Sequence, residues 1–230
     1  MTKVTIIIPV YNEKNTLNII LEKVEQANFS GLDKEIILVD DYSTDGTKEI
    51  LKELSSKYKI LYHEKNMGKG AAIRTAVKEA AGDFVVIQDA DLEYLPDDYD
   101  KLLPFLINNE ADVVYGSRFL NDNNSGNFIL KNKIANLFLT LLTNILYGSS
   151  ITDMETCYKA FKREIIQGIT IKSNRFDFEP EITAKLMKMK ARIKEVPITY
   201  LGRGHQDGKK INWKDGVHAI ITLIKYRFTN

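Results

Sequence analysis

Apolar residues in the first 116 positions fall into two alternating patterns. Short runs rich in Val and Ile are separated by stretches whose apolar residues recur every three or four positions, as expected for βαβ units on a mostly parallel sheet. Residues 4–10, Val-Thr-Ile-Ile-Ile-Pro-Val, predict a strand buried on both faces, and Leu17, Ile20, Leu21 and Val24 follow at helical spacing. Residues 35–39 predict a second strand, with Ile50, Leu51 and Leu54 marking its helix. A third strand over 59–62 precedes an alanine-rich helix over 71–81. A fourth over 83–87 precedes a helix over 96–107 with proline in its first turn, and 112–115 is a fifth strand.

The pattern changes after Gly116. Residues 121–127 are rich in Asn, Ser and Gly and predict a loop. Residues 129–147 predict a strongly apolar helix in which Asn132, Asn136, Thr140 and Asn144 form a narrow polar stripe. The segment is too short and too polar for a membrane span, which needs roughly 18 or more apolar residues. A helix lying on a membrane, a helix packed on a partner and an ordinary core helix are the alternatives. A last helix over 213–228 carries Trp213, Val217, Ile220, Ile221, Ile224 and Phe228 on one side and Lys214, His218, Thr222 and Lys225 elsewhere. It suits a lipid interface or the closing helix of the fold.

At 230 residues, 44% hydrophobic and 27% charged, the chain is long and apolar enough to bury one substantial core, which excludes disordered and fibrous classes. The single cysteine, Cys157, excludes an internal disulfide framework and a cysteine-rich zinc site. His63, His205 and His218 are too far apart in sequence to suggest a ligand cluster. Residues 1–9 lack the long apolar region of a signal peptide, so a cytoplasmic location is expected. The net charge of +1 hides an asymmetry: residues 185–230 hold eleven Lys or Arg against three Asp or Glu. Such a tail offers a surface for phosphates or an anionic lipid leaflet, or is simply a solvated basic face. A nucleic-acid partner is not expected, because the first 184 residues are acidic and no aromatic platform is interleaved with the basic residues.

In open parallel sheets ligands sit outside the carboxyl ends of the strands, and here those ends are acidic. The first strand runs into Tyr11-Asn12-Glu13, the second into Asp40-Asp41 and Asp45, and the fourth into Asp89-Ala90-Asp91-Leu92-Glu93. Carboxylates converging on one edge repel each other unless a cation, or a polyphosphate with its metal, sits among them. Asp89 and Asp91 flanking a small residue can grip a hard divalent ion such as Mg²⁺ or Mn²⁺ and leave positions for phosphate oxygens; a surface turn or helix N-cap is the alternative. Asn66-Met67-Gly68-Lys69-Gly70 opens a helix where backbone amides and a lysine can meet an anion, but it lacks Walker spacing. Arg118 follows the fifth strand, and Arg203, Lys209 and Lys210 lie in the basic tail; each suits a phosphate or is a solvated charge.

Taken together, residues 8–13, 39–47, 66–70, 88–91, 116–118 and 152–159 resemble the motifs of family-2 glycosyltransferases, and within them the dolichyl-phosphate mannose or glucose synthases and related polyprenyl-phosphate sugar transferases. The resemblance implies an α/β fold of the GT-A type, a Rossmann-like, mostly parallel sheet flanked by helices with a C-terminal acceptor-side extension. It divides the chain into a nucleotide-sugar-binding half (1–116), an acceptor half (117–212) with the 129–147 helix, and a C-terminal amphipathic helix (213–230). By this resemblance Pro9, Tyr11, Asn12, Glu13, Asp40, Asp41, Gly68, Lys69 and Ala90 line the nucleotide-sugar pocket, and Asp89, Asp91 and Glu93 hold Mg²⁺ or Mn²⁺. Arg118, Arg203 and Lys210 face the donor diphosphate or the acceptor phosphate. The implied reaction is inverting transfer of a hexose from GDP-mannose or UDP-glucose to a polyprenyl phosphate, by a protein held peripherally at the cytoplasmic face of a membrane. Apart from the resemblance, the apolar 129–147 helix offers a surface for a homo-oligomer.

The acceptor decides whether a base is needed. A polyprenyl phosphate brings an ionised oxygen that is already a nucleophile, so positioning suffices; a glycan or soluble hydroxyl acceptor needs a carboxylate, for which Asp153 and Glu155 are the candidates. Residues 155–159, Glu-Thr-Cys-Tyr-Lys, differ from the Ser-Gly-Phe-Arg type associated with several mannose synthases, which keeps a glucose or other hexose donor in view. The non-enzymatic alternative is a receiver-like signalling domain, whose acids after two strands also bind magnesium and a phosphoryl group; it leaves about half of the chain unexplained.

Overall fold

The computed structural model describes residues 2–121, 130–202 and 213–229. Its centre is a seven-stranded sheet ordered β3-β2-β1-β4-β6-β5-β7, with β1 over Lys3–Val10, β2 over Asp33–Asp40, β3 over Lys59–Tyr62, β4 over Phe84–Ile87, β5 over Val113–Ser117, β6 over Lys159–Lys162 and β7 over Ile193–Pro197. All but β6 run in one direction; β6 lies antiparallel between β4 and β5, pairing Val86 with Ala160 and Val113 with Phe161. The helices are α1 over Leu17–Gln26, α2 over Thr47–Glu53, α3 over Lys69–Glu79, α4 over Tyr99–Ile107, α5 over Leu130–Tyr147, α6 over Arg163–Gln167, α7 over Phe178–Lys188 and α8 over Trp213–Phe228.

The expected strands and helices of the first 116 residues are present, with ends shifted by a few residues. The 96–107 helix divides into a 3₁₀ turn at Pro96–Asp98 and α4. Consecutive residues of β1 are buried because helices cover both sheet faces. On one face Leu17, Ile20, Leu21 and Val24 of α1 and Leu102, Leu103 and Leu106 of α4 close the core. On the other, Ala72, Ile73 and Ala76 of α3 and Phe178, Ile182 and Leu186 of α7 do so. The sequence did not announce β6: Lys-Ala-Phe-Lys carries no apolar run, and its burial comes from being inserted between β4 and β5. The predicted loop at 121–127, apart from Asn121, lies outside the described residues.

Of the three alternatives for the 129–147 helix, α5 does not take that of an ordinary core helix. Its polar positions face the protein: Thr140 and Thr143 are buried, Thr140 Oγ1 accepts a hydrogen bond from Met154 N at 3.1 Å, and Asn144 Nδ2 donates to Ile151 O at 2.8 Å. Among its large apolar residues only Leu139 is buried, whereas Leu130, Ile134, Leu137, Phe138, Leu141 and Ile145 are exposed. Leu139 packs with Ala219 and Leu223 of α8, and Tyr147 Oη donates to Leu223 O at 2.7 Å. Helix α8 closes the fold through Ala219, Leu223 and Tyr226, yet leaves Val217, Ile221, Ile224 and Phe228 exposed. No helix among the described residues is long and apolar enough to cross a membrane.

Candidate active site

The strand order reverses direction between β1 and β4, so their carboxyl ends diverge and leave a crevice. A cavity of about 270 Å³ fills it. Pro9, Val10, Tyr11 and Glu13 line it from the end of β1, Asp41 from β2, and Asp89, Ala90, Asp91 and Glu93 from beyond β4. Asn66, Gly68, Lys69 and Ala72 contribute the entry to α3, and Cys157, Arg175 and Phe176 complete the wall.

Asp41 builds the wall on the β2 side. Its carboxylate accepts backbone hydrogen bonds from Met67 N at 2.8 Å and Gly68 N at 2.7 Å, and pairs with His63 Nδ1 at 2.7 Å. One side chain thus ties the end of β2 to the turn before α3. Gly68, at φ +95°, adopts a conformation that only glycine takes without strain. A side chain on Gly70 would meet Ser173 O at 2.7 Å, so α3 is pressed directly onto the segment leading into α7. Arg74 reinforces that contact, donating to Ser173 O at 3.2 Å and Asn174 Oδ1 at 2.8 Å. This clamp carries Arg175 and Phe176 to the cavity.

Lys69 spans the acids on the opposite wall. Its Nζ lies 2.7 Å from Asp89 Oδ1 and 3.3 Å from Glu179 Oε1. The first contact is a salt bridge with hydrogen bonding, while Glu179 Oε1 has no hydrogen-bond partner among the described residues and is held by charge. Burial works against the ammonium, but Asp89 and Glu179 outweigh it and hold the Lys69 pKa well above the ordinary lysine value. Burial, with Asp89's charge, pushes the Cys157 thiol up, so Cys157 lines the cavity as a neutral group. Asp91 Oδ1 accepts Glu93 N at 3.1 Å, and Glu93 Oε2 accepts the Tyr200 hydroxyl at 3.2 Å.

The expected metal trio is not assembled: among the described residues no three Asp, Glu, His or Cys side chains converge on a metal position, and Glu93, though it lines the same cavity, is engaged by Tyr200. Asp89 and Asp91 remain together on the cavity wall. Two carboxylates are too few for a resident hard ion, which takes six or more oxygens, but they suit one that arrives with phosphate oxygens of its own.

Other expected residues stand outside the cavity lining. Asn12 braces the loop after β2, accepting Thr44 N at 2.8 Å and donating its own N–H to Ser43 Oγ at 3.0 Å. Asp40 is buried, accepts Ser43 N at 3.1 Å through Oδ1, and keeps an unpartnered Oδ2 among the described residues. Arg118 is locked to fully buried Asp153 by Nε and Nη2 contacts of 2.7 Å each and lies over the Tyr200 ring. Asp153's charge outweighs the cost of burial and raises the Arg118 pKa well above its usual value. Arg203 and Lys210 lie outside the described residues. Glu155 is not part of the cavity lining, and its Oε1 is sealed from solvent with no hydrogen-bond partner among the described residues.

Sequence reasoning missed Val10, Ala72, Cys157, Arg175 and Phe176 as cavity residues, and named Asn66 only as part of the turn opening α3. Gly68 and Gly70 signal that something approaches α3 closely, but nothing in their neighbourhood says that it is residues 173–175.

Burial, followed by the charge of Glu179, raises the Glu155 pKa to about 8. A carboxyl raised above its unfolded value contributes stability that is fully present below the unfolded pKa and is lost as pH rises through the folded one. Glu155→Gln, a neutral stand-in for the protonated acid, should therefore match the parent's melting temperature near pH 5 and exceed it near pH 8.5. Thermal melts of both proteins across that range check this; parallel curves would contradict it.

A family model described as glycosyl transferase family 2 matches residues 5–170. The dolichol-phosphate mannosyltransferase of Pyrococcus furiosus is 33% identical over 212 residues, 90% of this chain but 59% of that relative's length. The UDP-N-acetylglucosamine–dolichyl-phosphate N-acetylglucosaminyltransferase of Methanococcus voltae is 32% identical over 213 residues, 84% of this chain and 83% of the relative. Among solved structures, glucosyl-3-phosphoglycerate synthase from Mycobacterium tuberculosis, in complex with Mn²⁺, uridine diphosphate and phosphoglyceric acid, aligns with a TM-score of 0.76 at 18% identity over 100% of this chain and 80% of that one. Identity that low speaks for the fold alone, and the fold is the α/β GT-A type that the motifs implied. On the family match and the sequence relatives, the chain belongs to glycosyl transferase family 2.

Proposed function

We propose that the protein transfers a hexose from a nucleotide-sugar, GDP-mannose or UDP-glucose, to a polyprenyl or dolichyl phosphate, with inversion at the anomeric carbon and dependence on Mg²⁺ or Mn²⁺. The observation that carries the reading is the cavity at the β1/β4 crevice, where Asp89 and Asp91 face the entry to α3. The two dolichyl-phosphate transferases among its relatives support the acceptor class, and the Mn²⁺ in the structural neighbour supports the metal.

In this reading Pro9, Tyr11, Glu13 and Asp41 hold the nucleoside, and the diphosphate lies toward Gly68, Lys69 and Arg175. No ion pair engages Arg175 among the described residues, and a guanidinium at the cavity wall suits phosphate oxygens. A divalent ion held by Asp89 and Asp91 would supply electrostatic stabilisation of the leaving diphosphate. The chain's own task is to hold donor and acceptor in line, exclude water and oppose the developing charge with Lys69 and Arg175. An ionised acceptor phosphate needs no general base. This agrees with Asp153 being committed to Arg118 and with Glu155 standing outside the cavity lining, the two carboxylates a hydroxyl acceptor would call on.

The acceptor's lipid tail needs a membrane, and the exposed apolar residues of α5 and α8 supply a surface for one. Leu141 and Ile145 on α5 and Ile221 and Phe228 on α8 are all more than half exposed, at 57%, 71%, 55% and 81%. Lys131, Lys225 and Arg227 lie on the same two helices, a combination suited to an anionic lipid interface.

Incubation of the protein with labelled GDP-mannose, UDP-glucose or UDP-N-acetylglucosamine, Mn²⁺ and a polyprenyl phosphate should give lipid-linked sugar from one donor, and Asp91→Ala should lower that rate at least a hundredfold. Transfer only to glycans or soluble alcohols, or none at all, would overturn the reading. The protein should also sediment with vesicles containing phosphatidylglycerol, and Leu141→Ser/Ile145→Ser should abolish this without lowering the melting temperature. Equal sedimentation of parent and variant would remove the membrane surface from the account.

A further inference from the structure

Lys69 occupies an unusual place in this site, since it already serves as the cation for one of the two carboxylates that would hold a divalent ion. Its Nζ lies 2.7 Å from Asp89 Oδ1 and 3.0 Å from Asp89 Oδ2, with Glu179 Oε1 behind it at 3.3 Å. The lysine side chain is 11% exposed, Asp89 15% and Glu179 3%. The backbone beneath cannot easily carry the ammonium away, because the glycines on either side are pressed against the 173–175 segment: an added Cβ would fall 2.4 Å from Asn174 O at Gly68 and 2.7 Å from Ser173 O at Gly70. Any relocation of the ammonium therefore falls to the side chain.

We propose that Lys69 makes divalent-ion binding conditional on the donor's diphosphate, by neutralising Asp89 until the diphosphate arrives. The inference rests on the metal-dependent reading above and adds a positioning residue to it. Without a nucleotide, an incoming dication must compete with the ammonium for Asp89's oxygens and approach a fixed positive charge at short range. Asp91 alone then offers too few oxygens for a hard ion. A nucleoside diphosphate changes both terms. Its negative charge offsets the repulsion, its oxygens complete the ion's ligand set, and it gives the ammonium an alternative acceptor while Glu179 keeps that side chain on the wall. Affinity of the ion and affinity of the nucleotide are thereby coupled, and by linkage each raises the other by the same factor. A site of this kind holds its metal only with a donor in place, and frees the carboxylates for the next donor once the nucleotide leaves.

Mn²⁺ binding followed by the electron paramagnetic resonance of the free ion tests this without any turnover. Parent, Lys69→Gln, Lys69→Arg and Glu179→Gln would each be titrated with Mn²⁺ alone and with saturating GDP or UDP, and their folding checked by melting temperature. The parent should bind Mn²⁺ at least tenfold more tightly with the correct nucleotide than without it. Lys69→Gln should bind Mn²⁺ alone at least tenfold more tightly than the parent does, with the enhancement by nucleotide correspondingly reduced. Lys69→Arg, which keeps the charge, should retain the parent's enhancement. If Lys69→Gln binds Mn²⁺ alone no better than the parent while nucleotide still enhances binding, the inference is overturned and the metal reading survives. If no protein takes up Mn²⁺ with either nucleotide, the metal reading itself fails and the inference with it. Should Lys69→Gln not fold, Glu179→Gln decides: it leaves Lys69 to Asp89 alone, so Mn²⁺ alone should bind no more tightly than to the parent, and tighter binding would overturn the inference.

Discussion

Negative charge gathered on one edge of the sheet has to be compensated, and the means of compensation decides what each carboxylate can still do. The parallel strands deliver their carboxyl ends to the same edge, and this chain places acids after β1, β2 and β4. Asp41 is answered by two backbone N–H groups and His63, which makes it the peg that fixes the turn before α3. Asp153 is answered by Arg118 in a buried, doubly hydrogen-bonded pair. Glu155 is answered by its own proton, since burial lifts its pKa to about 8. Asp89 and Glu179 share the single ammonium of Lys69. Of these arrangements the last places a cation on the cavity wall between two carboxylates, and it is there that the proposed diphosphate would have most effect.

Much of this was legible in the sequence. The alternation of β-rich runs and amphipathic stretches gives the first 116 residues nearly element for element, because strands covered on both faces leave continuous apolar runs such as Ile6-Ile7-Ile8. The strand-end rule then points to Tyr11, Glu13, Asp41, Asp89 and Asp91 before any coordinates are known. What escaped depends on contacts between distant segments. Strand β6 is short and half lysine, and only its position between β4 and β5 makes it part of the sheet. Arg175 and Phe176 reach the cavity because Gly68, Gly70 and Arg74, about a hundred residues earlier, hold their segment in place. Helix α5 shows the limit of periodicity: its polar stripe was visible, but not that Thr140 and Asn144 would be needed by the backbone at Met154 and Ile151. The polar side turned inward for that reason and the apolar side was left outside.

The two halves of the chain thus divide the task. The first supplies most of the cavity wall, and the second supplies the segment that completes the cavity and two helices with apolar residues open to solvent. In the proposed transfer to a lipid phosphate the two would belong together, because a sugar donor is soluble and the acceptor's tail is not.

The central claim is that the cavity at the β1/β4 crevice binds a nucleotide-sugar together with a divalent ion through Asp91. Thermal melting of the parent and of Asp91→Ala with GDP-mannose, UDP-glucose, UDP-N-acetylglucosamine and dTDP-sugars, each with and without Mn²⁺, tests it directly, since a ligand that binds only the folded state raises the melting temperature. The account predicts that one donor stabilises the parent, that the stabilisation requires Mn²⁺, and that Asp91→Ala abolishes it. No stabilisation by any donor, or one that survives in Asp91→Ala, would contradict the account.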